Sequence, residues 1–341
     1  MKVRQGTTSG GRAVGRRGAA LALGAVVAVS VAACSSTGGA PESSGGGEGG
    51  GGTVDTPRAT IAMITHEVPG DTFWDLIRKG AEAAAAKDNI ELRYSADPEA
   101  PNQANLVQSA IDSDVDGIAV TLAKPDAMAP AVQAAEAAGI PVVAFNSGYD
   151  DWKAQGVGQY FGQDETIAGR AVGERLTSEG AKKTLCIIQE QGQVALESRC
   201  AGVTQGFTGG STEILNVNSK DMPSVEATIT AKLQQDPSID HVVALGAPIA
   251  LTAVQSKANA GSNATVVTFD TNSALVDAIE AGDVAWAVDQ QPYLQGYLPV
   301  TFLALNARNG LMPAGNVASG PSFVTQDTAA KVIDGASKGI R

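Results

Sequence analysis

Residues 116–146 read DGIAVTLAKPDAMAPAVQAAEAAGIPVVAFN, and residues 240–270 read DHVVALGAPIALTAVQSKANAGSNATVVTFD. Each opens on a short apolar run, passes through an alanine-rich run, and closes on Val-Val-x-Phe followed by a side-chain amide or carboxylate. The first and last residues are 30 positions apart in both. Strand, helix and strand at this spacing make a βαβ unit, and βαβ units build a mostly parallel sheet. The strands are nearly continuous apolar runs, as expected when helices cover both faces of the sheet. A unit that occurs twice in 341 residues predicts an α/β protein of two similar lobes.

The same alternation extends outward from both copies. TIAMIT (60–65) and IELRYS (90–95) read as strands, with helices over 71–88 and 101–114. In the second half KKTLCIIQ (182–189) and EILNVN (213–218) read as strands, with helices over 195–208 and 224–236. Beyond Asp270 the pattern gives a helix over 272–282, a strand over 283–291, a long amphipathic helix over 292–310 and a strand-like SFVTQ (322–326). The polar tail is expected to fray.

The N-terminus has a different character. Lys2, Arg4, Arg12, Arg16 and Arg17 form a basic start, and AALALGAVVAVSVAAC then supplies an apolar run of signal-peptide length. Small residues precede Cys34, the pattern of a bacterial lipoprotein signal over residues 1–33, with cleavage before Cys34 and lipidation of its thiol. An uncleaved anchor helix is the other reading, but the run is short for a span. Residues 34–58 are rich in Gly and Ser with almost no apolar side chain, so they read as a flexible tether. A globular body held outside the cell membrane by a lipid anchor follows from that layout.

Charge narrows the partners. The chain carries −12, and removing the five basic residues of the signal, which has no acidic ones, takes it to −17. So acidic a body repels nucleic-acid phosphates and anionic lipid headgroups alike. Apart from Cys34, only Cys186 and Cys200 remain. A pair in an exported protein reads as a disulfide, with two buried thiols as the alternative.

In open α/β sheets ligands bind beyond the carboxyl ends of the strands. The residues there include His66, Asp71, Phe73, Trp74, Asn146, Ser147, Gly246, Asp270, Asn272 and Gln290. Amides and carboxylates beside two adjacent rings suit a hydroxyl-rich ligand, whose C–H face a ring can cover. Asp71 serves equally as a helix cap. Phe145 and Phe269, at the ends of apolar strands, read as core, and Lys124 as a solvated loop charge. Glu197 is placed to pair with Arg199 at the surface.

Catalytic signatures are missing. His66 and His241 are the two histidines, and HEVPG has no second histidine four residues on. No P-loop and no G-x-S-x-G elbow occurs, and GVGQYFG is a poor dinucleotide motif. These absences point away from an enzyme and call for no cofactor or metal.

Taken together, Phe73-Trp74, AAGIPVVAFNS, GQDETIAGRAVGERL, ESRCAGVTQGF, LQQDPSIDHVVALG, ATVVTFDTN and DQQPYLQGYLPV resemble the ribose-binding type of periplasmic sugar-binding proteins, which serve ABC importers. The resemblance covers roughly residues 59–324. It implies the type I periplasmic binding protein fold, α/β, with two Rossmann-like lobes of parallel sheets joined by a three-strand hinge. Residues 59–162 and 291–320 would form the N-terminal lobe, and 163–290 and 321–335 the C-terminal lobe.

It further implies a monomer that clamps a monosaccharide or polyol and presents it to ABC permease subunits. Phe73 and Trp74 would stack, Asp71, Asn146 and Ser147 would line the first lobe, and Glu197, Gly246, Asp270 and Gln290 the second lobe and hinge. His66 and Asn272 are additional candidates. Asn146-Ser147 stands where the ribose-type pattern has Asp-Arg, Glu197 where it has Arg, and Gly246 where it has Asn. Those departures separate the chain from ribose. The cysteine pair with THEVPGDTFW is similar to an actinobacterial or rhizobial-type branch that takes various monosaccharides and polyols. A sugar-sensing lipoprotein acting on a membrane receptor is the alternative reading.

Overall fold

The computed structural model describes residues 56–341. The expected signal, Cys34 and nearly all of the tether lie outside the described residues. No helix among the described residues is long and apolar enough to cross a membrane.

The first sheet contains β1 (Ala59–Thr65), β2 (Ile90–Ala96), β3 (Gly117–Val120), β4 (Val142–Phe145), β5 (Gln159–Gly162) and β11 (Asn316–Ala318). The second contains β6 (Lys183–Ile188), β7 (Ser211–Asn216), β8 (His241–Ala244), β9 (Thr265–Phe269), β10 (Trp286–Asp289) and β12 (Ser322–Thr325). Their orders, β11-β5-β4-β3-β1-β2 and β12-β10-β9-β8-β6-β7, are the same arrangement built twice. Every pairing is parallel except β10 with β12. The quoted copies become β3–β4 and β8–β9, joined by helices α3 (Pro125–Ala137) and α7 (Ala247–Ala260).

The remaining helices are α1 (Phe73–Lys87), α2 (Ala100–Asp112), α4 (Glu165–Glu179), α5 (Val194–Gly206), α6 (Met222–Gln235), α8 (Ser273–Ala281), α9 (Pro292–Asn309), α10 (Gln326–Ala329) and α11 (Ile333–Ser337). The chain passes between the sheets three times, from β5 into α4, from β10 into α9, and from β11 into β12. The last parallel strand of each half therefore delivers a helix that packs on the other sheet.

Helices cover both faces of each sheet, so four apolar clusters form, two per lobe. Phe145 and Phe269 are fully buried, as their strand-end positions predict. β5 is not legible by alternation. Its four residues QYFG follow β4 through turns without an intervening helix, and only the sheet pairing with β4 and β11 makes it a strand. The tail is anchored as well: Ala336 is buried, and Arg341 Nη1 reaches Asp289 Oδ2 at 2.8 Å. That ion pair opposes the fraying expected of a polar terminus.

The helices over one face of each sheet cross at very short range. A Cβ placed on Gly80 of α1 would lie 2.0 Å from Tyr293 O, and one on Gly296 of α9 would lie 1.8 Å from Ile77 O. In the second lobe Gly169 of α4 and Gly202 of α5 meet backbone carbonyls in the same way. Cys186 and Cys200 are disulfide-bonded, with Cα atoms 5.9 Å apart, and tie β6 to α5. Gly296→Ala would stabilise an exposed helix. Here the methyl must push two backbones apart, and overpacking should cost about 2–3 kcal/mol. A denaturant midpoint equal to that of the parent protein would show that the α1–α9 crossing is loose.

Candidate functional site

The carboxyl ends of both sheets open onto one cavity of about 310 Å³. Both lobes line it, the first through the segment after β1 and Asn146, the second through the segments after β6, β8 and β9, with Gln290 at a crossover.

After β1 the chain turns through Pro69-Gly70, and Asp71 N donates to Val68 O at 3.1 Å. Asp71 Oδ1 then accepts from Phe73 N at 3.0 Å and sets the start of α1. Asp71 therefore turns the chain into the helix and borders the cavity at the same time. The helix start fixes Phe73 and Trp74 edge to face, with centroids 5.4 Å apart. His66 stands edge-on to Trp74 at 4.7 Å. Both rings are largely buried against Met63, Ile77 and Phe145, yet both line the cavity. Packing and wall are thus one role for these rings. His66 Nδ1 is 2.8 Å from Thr121 Oγ1. Burial, helped by the charge of Lys124, lowers its pKa to about 3, so the imidazole is neutral.

The amide and the carboxylate that end the two quoted stretches hold equivalent backbone positions. Asn146 has φ 64° and Asp270 φ 68°. Left-handed conformation is costly for most L-residues and mildest for Asn and Asp, whose short side chains hydrogen-bond locally. From these turns runs a buried hydrogen-bonded chain. Asn146 Nδ2 donates to Gln295 Oε1 at 3.2 Å, and Gln295 Nε2 donates to Gln290 Oε1 at 2.8 Å and to Ser319 Oγ at 3.0 Å. Gln290 Nε2 donates to Asp270 Oδ1 at 2.6 Å. The chain links the first lobe to the second along the crossovers.

Arg199 continues it. Its guanidinium binds Glu165 through two bonds of 2.6 and 2.9 Å, donates to Leu245 O at 3.1 Å, and lies 3.8 Å from Asp270 Oδ2. Burial alone would lower the pKa of Arg199, but Glu165 and then Asp270 outweigh it and raise it. Asp270 is pushed up to about 7 by burial, against the opposing pull of Arg199 and the bond from Gln290. Burial also raises Asp71, with Glu67, Asp75 and Glu190 adding to the rise and the Phe73 amide opposing it. Two carboxylates, a neutral imidazole, amides and one held cation can donate to and accept from ring hydroxyls beneath an aromatic wall.

Of the sequence-expected residues, the structure brings His66, Asp71, Phe73, Trp74, Asn146, Gly246, Asp270 and Gln290 to the cavity. Gly246 opens α7, and an added Cβ there would lie 3.1 Å from Gln189 Nε2, so the space beside it is already taken. Three candidates lie elsewhere. Ser147 is fully buried, with Oγ 3.1 Å from Asn146 Oδ1. Asn272 caps α8 at Leu275 N and reaches Thr72 Oγ1 at 3.1 Å. Glu197 is exposed and accepts from Gly192 N at 2.9 Å.

Residues two apart on a helix lie on nearly opposite faces. The face of α5 that meets the cavity therefore carries Arg199, and the surface pair expected between Glu197 and Arg199 is replaced by Arg199–Glu165. Lys124, read as a solvated charge, meets Glu190 Oε1 at 3.3 Å. Arg199, Gln193 and Gln295 escaped the sequence reading. The ribose-type pattern carries an Arg near the start of this helix, and Arg199, two residues after Glu197, is the Arg that faces the cavity.

Residues 61–310 match the periplasmic binding protein domain. A carbohydrate transporter protein of Acidothermus cellulolyticus, solved with myo-inositol, is 56% identical with a TM-score of 0.82, covering 84% of this chain and 100% of that one. The xylose/arabinose-binding protein XylF of Sulfolobus acidocaldarius is 26% identical over 241 residues, 65% of this chain and 59% of that protein. The ribose import binding protein RbsB of Bacillus subtilis is 25% identical over 232 residues, 66% of this chain and 74% of that protein. With the twice-built sheet order and the cavity between the sheets, these similarities place the chain in the periplasmic binding protein family, among the sugar-binding proteins of ABC importers.

Proposed function

We propose that the chain is a lipid-anchored extracytoplasmic receptor that captures a neutral cyclic polyol or monosaccharide between its lobes and delivers it to an ABC permease. The observation that carries this reading is a cavity lined from both sheets, by two aromatic rings and by amide and carboxylate side chains. Myo-inositol is the first ligand to test, because the relative solved with it is 56% identical and is spanned in full. In this reading lobe boundaries fall near residues 162/163, 290/291 and 320/321, and Cys34 carries the lipid. Ligand contacts on both lobes exist together only when the cleft is closed, so the ligand draws the hinge equilibrium to the closed side.

Charge argues for a neutral ligand. Asp71, Asp270 and Glu190 border the cavity against Arg199 and Lys220, and Glu165 already engages Arg199. An anionic sugar acid or sugar phosphate would meet unbalanced carboxylates in a desolvated site. Asp71, Asp270, Asn146 and Gln290 are the proposed hydroxyl partners, and Trp74 with Phe73 the proposed cover for the ring face.

A thermal-shift and calorimetric series with myo-inositol, ribose, xylose and arabinose tests the reading. Myo-inositol should raise the melting temperature by mass action, and no shift with any of the four at saturating concentration would refute it. Trp74→Phe keeps an aromatic core but loses ring area over the ligand. It should weaken binding about three- to tenfold, the worth of an aromatic contact, whereas unchanged affinity would remove Trp74 from the ligand face.

Asp270 gives a pH test. Its folded pKa lies above the ordinary value, so its stabilising contribution is present at low pH and lost as pH rises through about 7. Hydroxyl donors favour the carboxylate, so ligand affinity runs the other way. The Kd should rise about tenfold from about pH 8 to about pH 6. Asp270→Asn should flatten both profiles, and pH dependence that persists in this variant would assign it to another group.

A further inference from the structure

Away from the crossovers, the second lobe meets the first largely through one short segment. Val194 N donates to Ala123 O at 3.0 Å. Gln193 Nε2 lies 3.2 Å from His66 Nε2 and 3.4 Å from Ser147 Oγ. Glu190 meets Lys124 at 3.3 Å. Three further contacts, Lys220 with Glu99 at 2.6 Å, Asn272 with Thr72 at 3.1 Å and Lys79 Nζ with Lys338 O at 3.5 Å, are exposed to solvent, where such contacts contribute little. The segment that docks also faces the cavity, through Leu196 and Arg199.

Glu190, Gln193, Val194, Leu196 and Arg199 all lie between Cys186 and Cys200, 14 positions apart in sequence. The segment begins as an exposed turn at Gln191-Gly192. The turn ahead of α5 has few restraints of its own: Gln193 N donates to Glu190 O at 3.4 Å, Gln193 Oε1 accepts from Leu196 N at 3.0 Å, and Glu197 Oε1 accepts from Gly192 N at 2.9 Å, whereas Arg199, farther along α5, is held by Glu165 and Leu245 O. Both cysteines are buried in the second lobe's core and neither borders the cavity.

We propose that the Cys186–Cys200 bridge is a positioning element for ligand capture, closing the 186–200 loop so that Gln193 and Val194 already stand in their docking geometry in the empty protein. The bridge contacts no ligand and acts through these two residues. A tethered loop has fewer conformations to lose on closure, and preorganisation of this kind strengthens binding by lowering the ordering cost. The inference rests on reading the cleft as a sugar or polyol site.

Two double variants test it: Cys186→Ala with Cys200→Ala, and Cys186→Val with Cys200→Ala, which refills the strand position. Amide hydrogen exchange on the empty protein is read first. The amides of Gly192, Val194 and Leu196 should exchange about tenfold faster, while those of β1, β3 and β8 stay unchanged. With myo-inositol, Kd should rise about tenfold, an ordering cost of one or two side chains, chiefly through faster release. Exchange in 189–199 and Kd both within about twofold of the parent would overturn the proposal. So would loss of folding in both variants or exchange rising uniformly across the second lobe, since the bridge would then serve folding rather than positioning. Failure of the parent protein to bind myo-inositol would count against the functional reading, and the exchange comparison would still decide the role of the bridge.

Discussion

A buried cation constrains the centre of this molecule. Arg199 is almost fully enclosed, and a guanidinium removed from water is tolerable only when carboxylates meet it with good geometry. Glu165, at the start of the helix that enters from the first lobe, supplies the paired bonds, and Asp270 stands 3.8 Å away on the turn after β9. The crossover from β5 to α4, the cavity face of α5 and the left-handed turn at Asp270 are thereby held to one another. Glu165 satisfies most of Arg199, so Asp270 remains incompletely compensated and easily protonated.

The same logic spreads along the crossovers as hydrogen bonds between neutral groups. Gln290, Gln291 and Gln295 occupy the β10–α9 crossover, and Ser319 the β11–β12 crossover. Gln290, Gln291 and Gln295 each find a partner there, whereas Gln163, in the β5–α4 crossover, has a buried Oε1 with no protein partner. The close glycine crossings within each lobe lock α1 to α9 and α4 to α5 as rigid pairs.

The fold was largely legible because it rests on periodicity. Apolar runs separated by alanine-rich helices dictate parallel strands, and the duplicated Val-Val-x-Phe ending stands before both Asn146 and Asp270, whose left-handed conformation only the structure shows. The strand at 159–162 was not legible, since four residues beginning with a buried Gln carry no alternation and acquire strand geometry only from their neighbours. The candidate site was legible where it follows directly from a strand end, as at His66, Asp71, Phe73, Trp74 and Gln290. It was not legible on α5, where the direction of a side chain depends on how the helix is rotated against the sheet, and a two-residue offset exchanges solvent for cavity.

The sequence alone determined the α/β class, the duplication, the acidic body and the residue types at the strand ends, because each depends on local spacing or composition. Tertiary structure alone decided which of those residues face one another. It turned Arg199 inward and Glu197 outward, gave Ser147 to the buried hydrogen-bond network, and made Phe73 and Trp74 core and cavity wall together. Those outcomes depend on the rotation of α5 and on the meeting of two lobes whose contacting residues lie more than a hundred positions apart, as Gln193 and His66 do. Burial and charge at such contacts are properties of the assembled cleft and cannot be read from either segment by itself.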